Sequence, residues 1–385
     1  MPARFPERTL TPEAVWAERT SAWTVEQGRA IQSIPAPSFA EGERARYVER
    51  LFCEFGLQDV GTDAVFNVFG RVRGAAEKAR ALLITAHTDT IFQADTDLTQ
   101  RTEGDQIYGP GLGDNSIAVA GLLALAREWA QRPAPSVDVW FVATSREEGL
   151  GDLGGMKAAY QRLGLQTGAV LNIEGLALGH VYHGGIAVRR LKVAAIAGGG
   201  HSWLHYGRPS AIHALVELCD ELLKLKPVTI PRTTFNIGLI EGGDAVNAIA
   251  SHAACWLDLR SESSKALAHF EESVRSAIAR SEREGVEFTI DVVGDRPAGQ
   301  IPPNHPLVRI GIQSLAAVGI KAALETGSTD ANVPLAAGCP AITLGVTRGG
   351  NAHRTDEFIE VSPVSVGLEQ LAVAVQLTLR YLAKS

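Results

Sequence analysis

The chain has 385 residues, 45% of them apolar, and a formal net charge of −7 at neutral pH. That length and apolar content suffice for a large core shared between two domains. The acidic balance excludes the basic stripe of a nucleic-acid footprint, no apolar run is long enough to span a bilayer, and Met1–Arg8 lacks the apolar segment of a signal peptide. The expected location is therefore cytoplasmic, with no nucleic-acid or membrane partner. Cys53, Cys219, Cys255 and Cys339 are far apart in sequence, form no Cys-x-x-Cys and read as reduced core thiols.

In chain order, Glu13–Arg29 and Glu41–Phe55 carry apolar residues at helical spacing, separated by the breaker Ile34-Pro-Ala-Pro-Ser38. The short apolar run Ala79–His87 predicts a strand covered on both faces. It is followed by a helix over Ile117–Gln131, a strand over Val137–Ser145, a helix over Gly155–Leu163 and a strand over Ala169–Ile173. This alternation implies an α/β sheet with helices on both faces.

The rhythm changes after Gly184. Strand Ala187–Ile196, helix Ser210–Leu225, strands Thr234–Leu239 and Ala253–Arg260, helix Ser264–Glu284 and strand Phe288–Val293 give the β-α-β-β-α-β order of a ferredoxin-like α+β unit. Helices Pro306–Val318 and Asn332–Ala337, strand Ala341–Gly345 and helix Pro363–Leu382 then resume the first pattern. The expected organisation is a discontinuous domain of residues 1–185 and 298–385, with residues 186–297 inserted.

The chemistry concentrates at strand ends. Glu147 and Glu148 close an apolar strand, and burying two unpaired carboxylates is costly unless a cation is present, so the pair reads as one metal ligand and one free base. His87-Thr-Asp89 ends another strand with the acid on the side of the imidazole, suited to orient it; alone, the motif more often marks a capping acid near a core histidine. Gly109-Pro-Gly-Leu-Gly-Asp-Asn-Ser116 is a glycine turn that presents Asp114 before a helix. It lacks a phosphate-binding lysine, and Asp114 also fits a simple N-cap. Glu174 follows a third strand, and His353 lies in the turn-rich Gly349–Glu357. Parallel α/β sheets bind ligands beyond the carboxyl ends of their strands. Two histidines and three carboxylates, one of them bridging, suffice for two metals about 3.5–4 Å apart.

These five segments, in this order, resemble the di-zinc aminoacylase, carboxypeptidase G, succinyl-diaminopimelate desuccinylase and tripeptidase T family of clan MH metallopeptidases, and the likeness covers nearly the whole chain. The resemblance implies a mixed-sheet zinc-peptidase catalytic domain and makes the insert a ferredoxin-like dimerisation (lid) domain. It implies two Zn2+ per subunit, with Co2+ or Mn2+ able to substitute. His87 and Glu174 would hold one ion, Glu148 and His353 the other, and Asp114 would bridge. Asp89 would orient His87, and Glu147 would be the general base. His201, in Gly198-Gly-Gly-His-Ser-Trp203, falls where the family places a histidine that crosses a homodimer interface to stabilise the oxyanion. Asn247, Arg260 and Arg296 resemble substrate-carboxylate positions, a role suited to the planar fork of arginine. Gly327-Ser328-Thr329, ahead of Asp330, resembles a turn lining the substrate cavity, and it also fits a helix N-cap.

The implied activity is hydrolysis of an amide or peptide bond in a small peptide or N-acyl amino acid with a free carboxylate. An aminopeptidase-like di- or tripeptidase, and a metal-dependent binding protein without catalysis, are the competing expectations. Pro110 and Asn115-Ser116 depart from the desuccinylase branch. Glu174 looks deacylase-like, whereas Gly-Asp-Asn-Ser116 and Ala-Ile-Thr-Leu-Gly345 look more like tripeptidase T.

Overall fold

Pro12, fixed in φ and lacking an N–H, opens the first helix behind the Thr11 hydroxyl, which accepts the Ala14 N–H at 3.1 Å. The structure, a computed structural model, describes residues 11–76 and 79–384; the leader reading of Met1–Arg8 lies outside them. The described chain divides into two units, one running to Gly184 and resuming at Gln300, the other Gly185–Gly299.

In the first unit the elements are α1 (Pro12–Gln32), α2 (Gly42–Glu54), β1 (Gln58–Thr62), β2 (Val68–Val72), β3 (Ala81–His87), α3 (Ile117–Gln131), β4 (Val139–Thr144), α4 (Gly154–Leu163), β5 (Thr167–Glu174) and β6 (His180–Gly185). The second unit supplies β7 (Ala187–Ala197), α5 (Ala211–Leu223), β8 (Thr233–Gly242), β9 (His252–Ser261), α6 (Ser264–Arg280) and β10 (Val286–Arg296). The first unit resumes with α7 (Pro306–Ala317), β11 (Ala323–Gly327), α8 (Asn332–Ala336), β12 (Ala341–Gly345) and α9 (Val364–Leu382).

The main sheet runs β1-β2-β4-β3-β5-β12-β6, with β11 also paired to β6. β4, β3, β5 and β12 are mutually parallel, while β2 and β6 pair antiparallel on the two sides. The parallel strands are apolar on both faces because both are covered. Leu82 and Ile84 join one cluster with α3 and α9; Leu83, Trp140, Val170 and Ala341 join another with Met156 of α4 and Leu335 of α8. The fully buried Leu82, Leu83 and Ile84 each stabilise the sheet by about 1.5–3 kcal/mol. α3 is apolar almost all round, as a helix enclosed by core must be.

The sequence reading missed β1 and β2, whose Gly61 and Gly70 break the apolar run, and a small four-stranded sheet of three-residue and shorter strands that includes Gln106–Tyr108 and Phe358–Glu360. In the second unit an antiparallel sheet of order β8-β9-β7-β10 packs one face against α5 and α6. The fold class is thus a mixed α/β sheet with helices on both faces and an inserted α+β unit. No described helix is long and apolar enough to cross a membrane.

Candidate metal centre

Parallel strands deliver the site. His87 is the last residue of β3 and Glu174 the last of β5, while Glu147 and Glu148 follow β4 and Asp114 precedes α3. His353 lies beyond β12 with φ 68°, a left-handed conformation costly for a residue with a Cβ and found mostly where surrounding structure enforces it.

The two oxygens of Asp114 face different histidines. Oδ1 lies 3.1 Å from His87 Nε2, and Oδ2 lies 3.1 Å from His353 Nε2. Glu174 Oε2 is 3.6 Å from the same His87 nitrogen, and Glu148 Oε1 is 3.4 Å from the same His353 nitrogen. A tetrahedral zinc with ligand bonds near 2.1 Å places neighbouring donor atoms about 3.4 Å apart. The observed spacings of 3.1–3.6 Å lie close to that value on both sides of Asp114. Ligand atoms of His87, Asp114 and Glu148 also lie within 4.8 Å of one another. The donor set therefore fits a pair of divalent cations.

The electrostatics agree. Burial alone would lower the His87 pKa, yet Glu174, Asp114 and Asp89 together raise it well above the ordinary value. Asp114 and Glu148 push His353 up to about 10. Burial opposes ionisation of Asp114, but His353 and His87 hold its pKa below the usual range. Glu148 is pushed up to about 7, chiefly by burial and also by Asp114 and Glu147, against the pull of His353. Carboxylates crowded at this density need positive charge, which divalent cations would supply in place of protons.

Asp89 contacts more than His87. The His87 Nδ1 partner is the Asp89 carbonyl oxygen at 3.1 Å, while its carboxylate stands 3.6 Å away. A carbonyl only accepts, so Nδ1 carries a proton and Nε2 faces the carboxylates. The Asp89 carboxylate also accepts the N–H of Glu147 at 2.8 Å, the N–H of Glu148 at 3.0 Å and the Ser38 hydroxyl at 2.6 Å. It therefore fixes the backbone of both glutamates, because the turn after β3 brings it alongside that segment.

A model of peptidase family M20/M25/M40 matches residues 83–384. The chain belongs to that family. It is accordingly a hydrolase, and the resemblance read from its five strand-end segments is borne out. It is 27% identical to an acetylornithine deacetylase of Shigella sonnei over 312 residues, 76% of this chain and 79% of that one. A tripeptidase from Staphylococcus aureus superposes with TM-score 0.74 at 20% identity, covering 95% of this chain and 99% of that one. The Bacillus subtilis YxeP protein, a dinuclear metal-binding peptidase of the M20 family, gives 0.66 at 15% identity over 94% and 99% of the respective chains.

Other residues shape this M20 site beyond those given site roles in the sequence. Glu357, fully buried, accepts the N–H groups of Gly113 at 2.5 Å, Asp114 at 2.8 Å and Gly111 at 3.4 Å, tying down the loop that carries Asp114. Burial, with the Asp114 charge, pushes its pKa up to about 7. Asn115 bonds the carbonyl of Ile173 at 3.1 Å and the N–H of Gly175 at 2.8 Å, straddling Glu174. Asp330, also fully buried, accepts the Thr144 hydroxyl at 2.5 Å, and burial plus the Glu147 charge push its pKa up to about 8. The available signal for Glu357 was only its position four residues after His353.

Gly327 ends β11, and Ser328 and Thr329 lead into α8, where the Thr329 hydroxyl accepts the Ala331 N–H at 3.2 Å, the cap-like alternative. In the second unit, His201 and Asn247 are neighbours: Gly200–His201 pairs with Ala248–Ile249, and the Ser202 N–H meets the Asn247 carbonyl at 3.0 Å. His201 is exposed, and its Nδ1 accepts the Trp203 N–H at 3.2 Å, which leaves the ring proton on Nε2. Arg260 and Arg296 flank Val188 in register on opposite sides of β7. Arg190, two residues along β7, joins them; it shares Asp258 with Arg260 at 3.1 and 2.6 Å. Burial together with the Arg296 charge lowers the Arg190 pKa.

Proposed function

We propose that the chain is a two-zinc amidohydrolase acting on a small peptide or N-acyl amino acid with a free carboxylate. The observation that carries this reading is Asp114, with one oxygen 3.1 Å from each of two histidines. His87 and Glu174 would hold one zinc and Glu148 and His353 the other, with Asp114 between them. Bound zinc would supply a Lewis acid that polarises the scissile carbonyl and lowers the pKa of water.

The remaining roles fall to the chain's own groups. Glu147, whose backbone Asp89 fixes, takes the proton of the attacking water and returns it to the leaving nitrogen. His201, with its proton on Nε2, donates to the oxyanion. Arg260 and Arg296 hold the substrate carboxylate, Asn247 contributes a further substrate contact, and Gly327-Ser328-Thr329 lines the substrate cavity.

The partner in this reading is a second copy of the chain, argued from surface chemistry in the second unit. β8 is an edge strand with Leu239 and Ile240 exposed, and Ile212, Val216 and Leu223 of α5 are exposed as well. Such an edge is satisfied by pairing across a two-fold axis. A cytoplasmic location completes the reading. Screening zinc-loaded protein against dipeptides and their N-acylated counterparts tests the function. Hydrolysis of substrates with a blocked amine supports it, strict dependence on a free amine favours the tripeptidase-like alternative, and no hydrolysis with two zincs bound would refute it.

A further inference from the structure

On the sheet face that packs against α4 and α8, three neighbouring strands change chemistry in step. β3 presents Ala81, Leu83, Thr85 and His87; β5 presents Val170, Asn172 and Glu174; β12 presents Ala341, Thr343 and Gly345. Thr85 and Thr343 stand opposite Asn172 on its two sides, and all three are buried. A row of polar groups inside a parallel sheet is costly unless every group is bonded, and valines would hold these strands together at lower cost.

The bonds in the row have a direction. The Thr85 hydroxyl donates to Asn172 Oδ1 at 2.8 Å. That orients the amide nitrogen the other way, where it donates to Glu174 Oε1 at 3.1 Å and to Thr343 Oγ1 at 3.3 Å. The Thr343 hydroxyl lies 3.1 Å from that of Thr329 in the loop before α8. A carboxylate only accepts, so the amide nitrogen is the end that must face Glu174. The bond engages Oε1 and leaves Oε2 directed at His87 Nε2, 3.6 Å away.

We infer that Asn172 is a positioning residue for the metal ligand Glu174, held in orientation by Thr85 and connected through Thr343 to the Thr329 loop. The inference rests on the two-zinc reading. Partners that orient a ligand in this way are worth roughly 10–100-fold in metal affinity.

The test measures the two stepwise zinc affinities by competition with a chromophoric chelator, on full-length wild type, Asn172→Leu and Thr343→Val, with circular dichroism and urea unfolding as folding controls. Asn172→Leu keeps the volume and removes the donor; it should weaken one zinc by about 10–100-fold and leave the other unchanged. Thr343→Val leaves the Asn172–Glu174 bond in place and should weaken the same zinc by a smaller factor. A folded Asn172→Leu protein with both affinities unchanged, or both reduced equally, overturns the inference. Should that variant fail to fold, unchanged affinities in Thr343→Val overturn it instead. Wild-type protein that binds fewer than two zincs overturns the two-zinc reading as well, which separates the two failures.

Discussion

Replacing Glu357 by alanine probes how the metal loop is held. The carboxylate accepts two short backbone N–H bonds, from Gly113 at 2.5 Å and Asp114 at 2.8 Å, and a longer one from Gly111 at 3.4 Å. All are buried, so truncation strands at least two donors at about 1–3 kcal/mol each, or about 2–6 kcal/mol in all. Glu357→Gln keeps one oxygen acceptor and should lose about 1 kcal/mol per bond, the difference between charged and neutral partners. Because the loop presents Asp114 to both histidines, zinc affinity should fall about 10–100-fold in the alanine variant. Urea unfolding of chelator-treated protein reads the first quantity, and chelator competition reads the second. A Glu357→Ala protein within about 0.5 kcal/mol of wild type, the range of a neutral surface change, and with unchanged zinc affinity would refute the reasoning.

Glu147→Ala should retain both zincs by elemental analysis while losing at least about 100-fold in turnover, the usual worth of a general base. His201→Ala should lower kcat by about 100–1000-fold with zinc content intact, and size-exclusion light scattering of the wild type should report a dimer. Arg260→Ala should raise KM for substrates with a free carboxylate and leave their C-terminal amides nearly unaffected, which a paired kinetic comparison resolves. Both histidine pKa values are raised, His353 to about 10, so cation binding must displace protons. Affinity for zinc should therefore climb as pH rises from neutrality toward about 10, and calorimetry in buffers of different ionisation enthalpy should find protons released on binding.

The residues gathered at the candidate metal centre were legible because each stands out against its own surroundings. His87, Glu148 and Glu174 are polar interruptions where apolar strands end, and Asp114 is an acid in a glycine turn where a phosphate loop would carry lysine. Asn172 and Thr85 were hidden for the opposite reason. They lie inside strands whose neighbours are apolar, and their meaning comes from register across β3, β5 and β12, which no local pattern reveals. Glu357 likewise looks like one more acid in a turn until the chain 240 residues earlier is folded against it.

The fold followed the same logic. Continuous apolar runs marked β3, β4 and β5, and the β-α-β-β-α-β rhythm marked the insert. The antiparallel flank of β1 and β2 escaped because β1 is a half-exposed edge and Gly70 stands in β2 beside Phe52 and Leu57, where a larger side chain has no room. Asp89 shows a subtler limit. Strand alternation puts its side chain near His87, but only the turn geometry reveals that the carboxylate serves the backbone of Glu147 and Glu148 as well.

The most direct test of the account is anomalous diffraction at the zinc edge from crystals of the zinc-saturated protein. Two peaks about 3.5–4 Å apart, one beside His87 and Glu174 and the other beside Glu148 and His353, with Asp114 between them, are the predicted result. A single peak, or two peaks that Asp114 does not bridge, would contradict it.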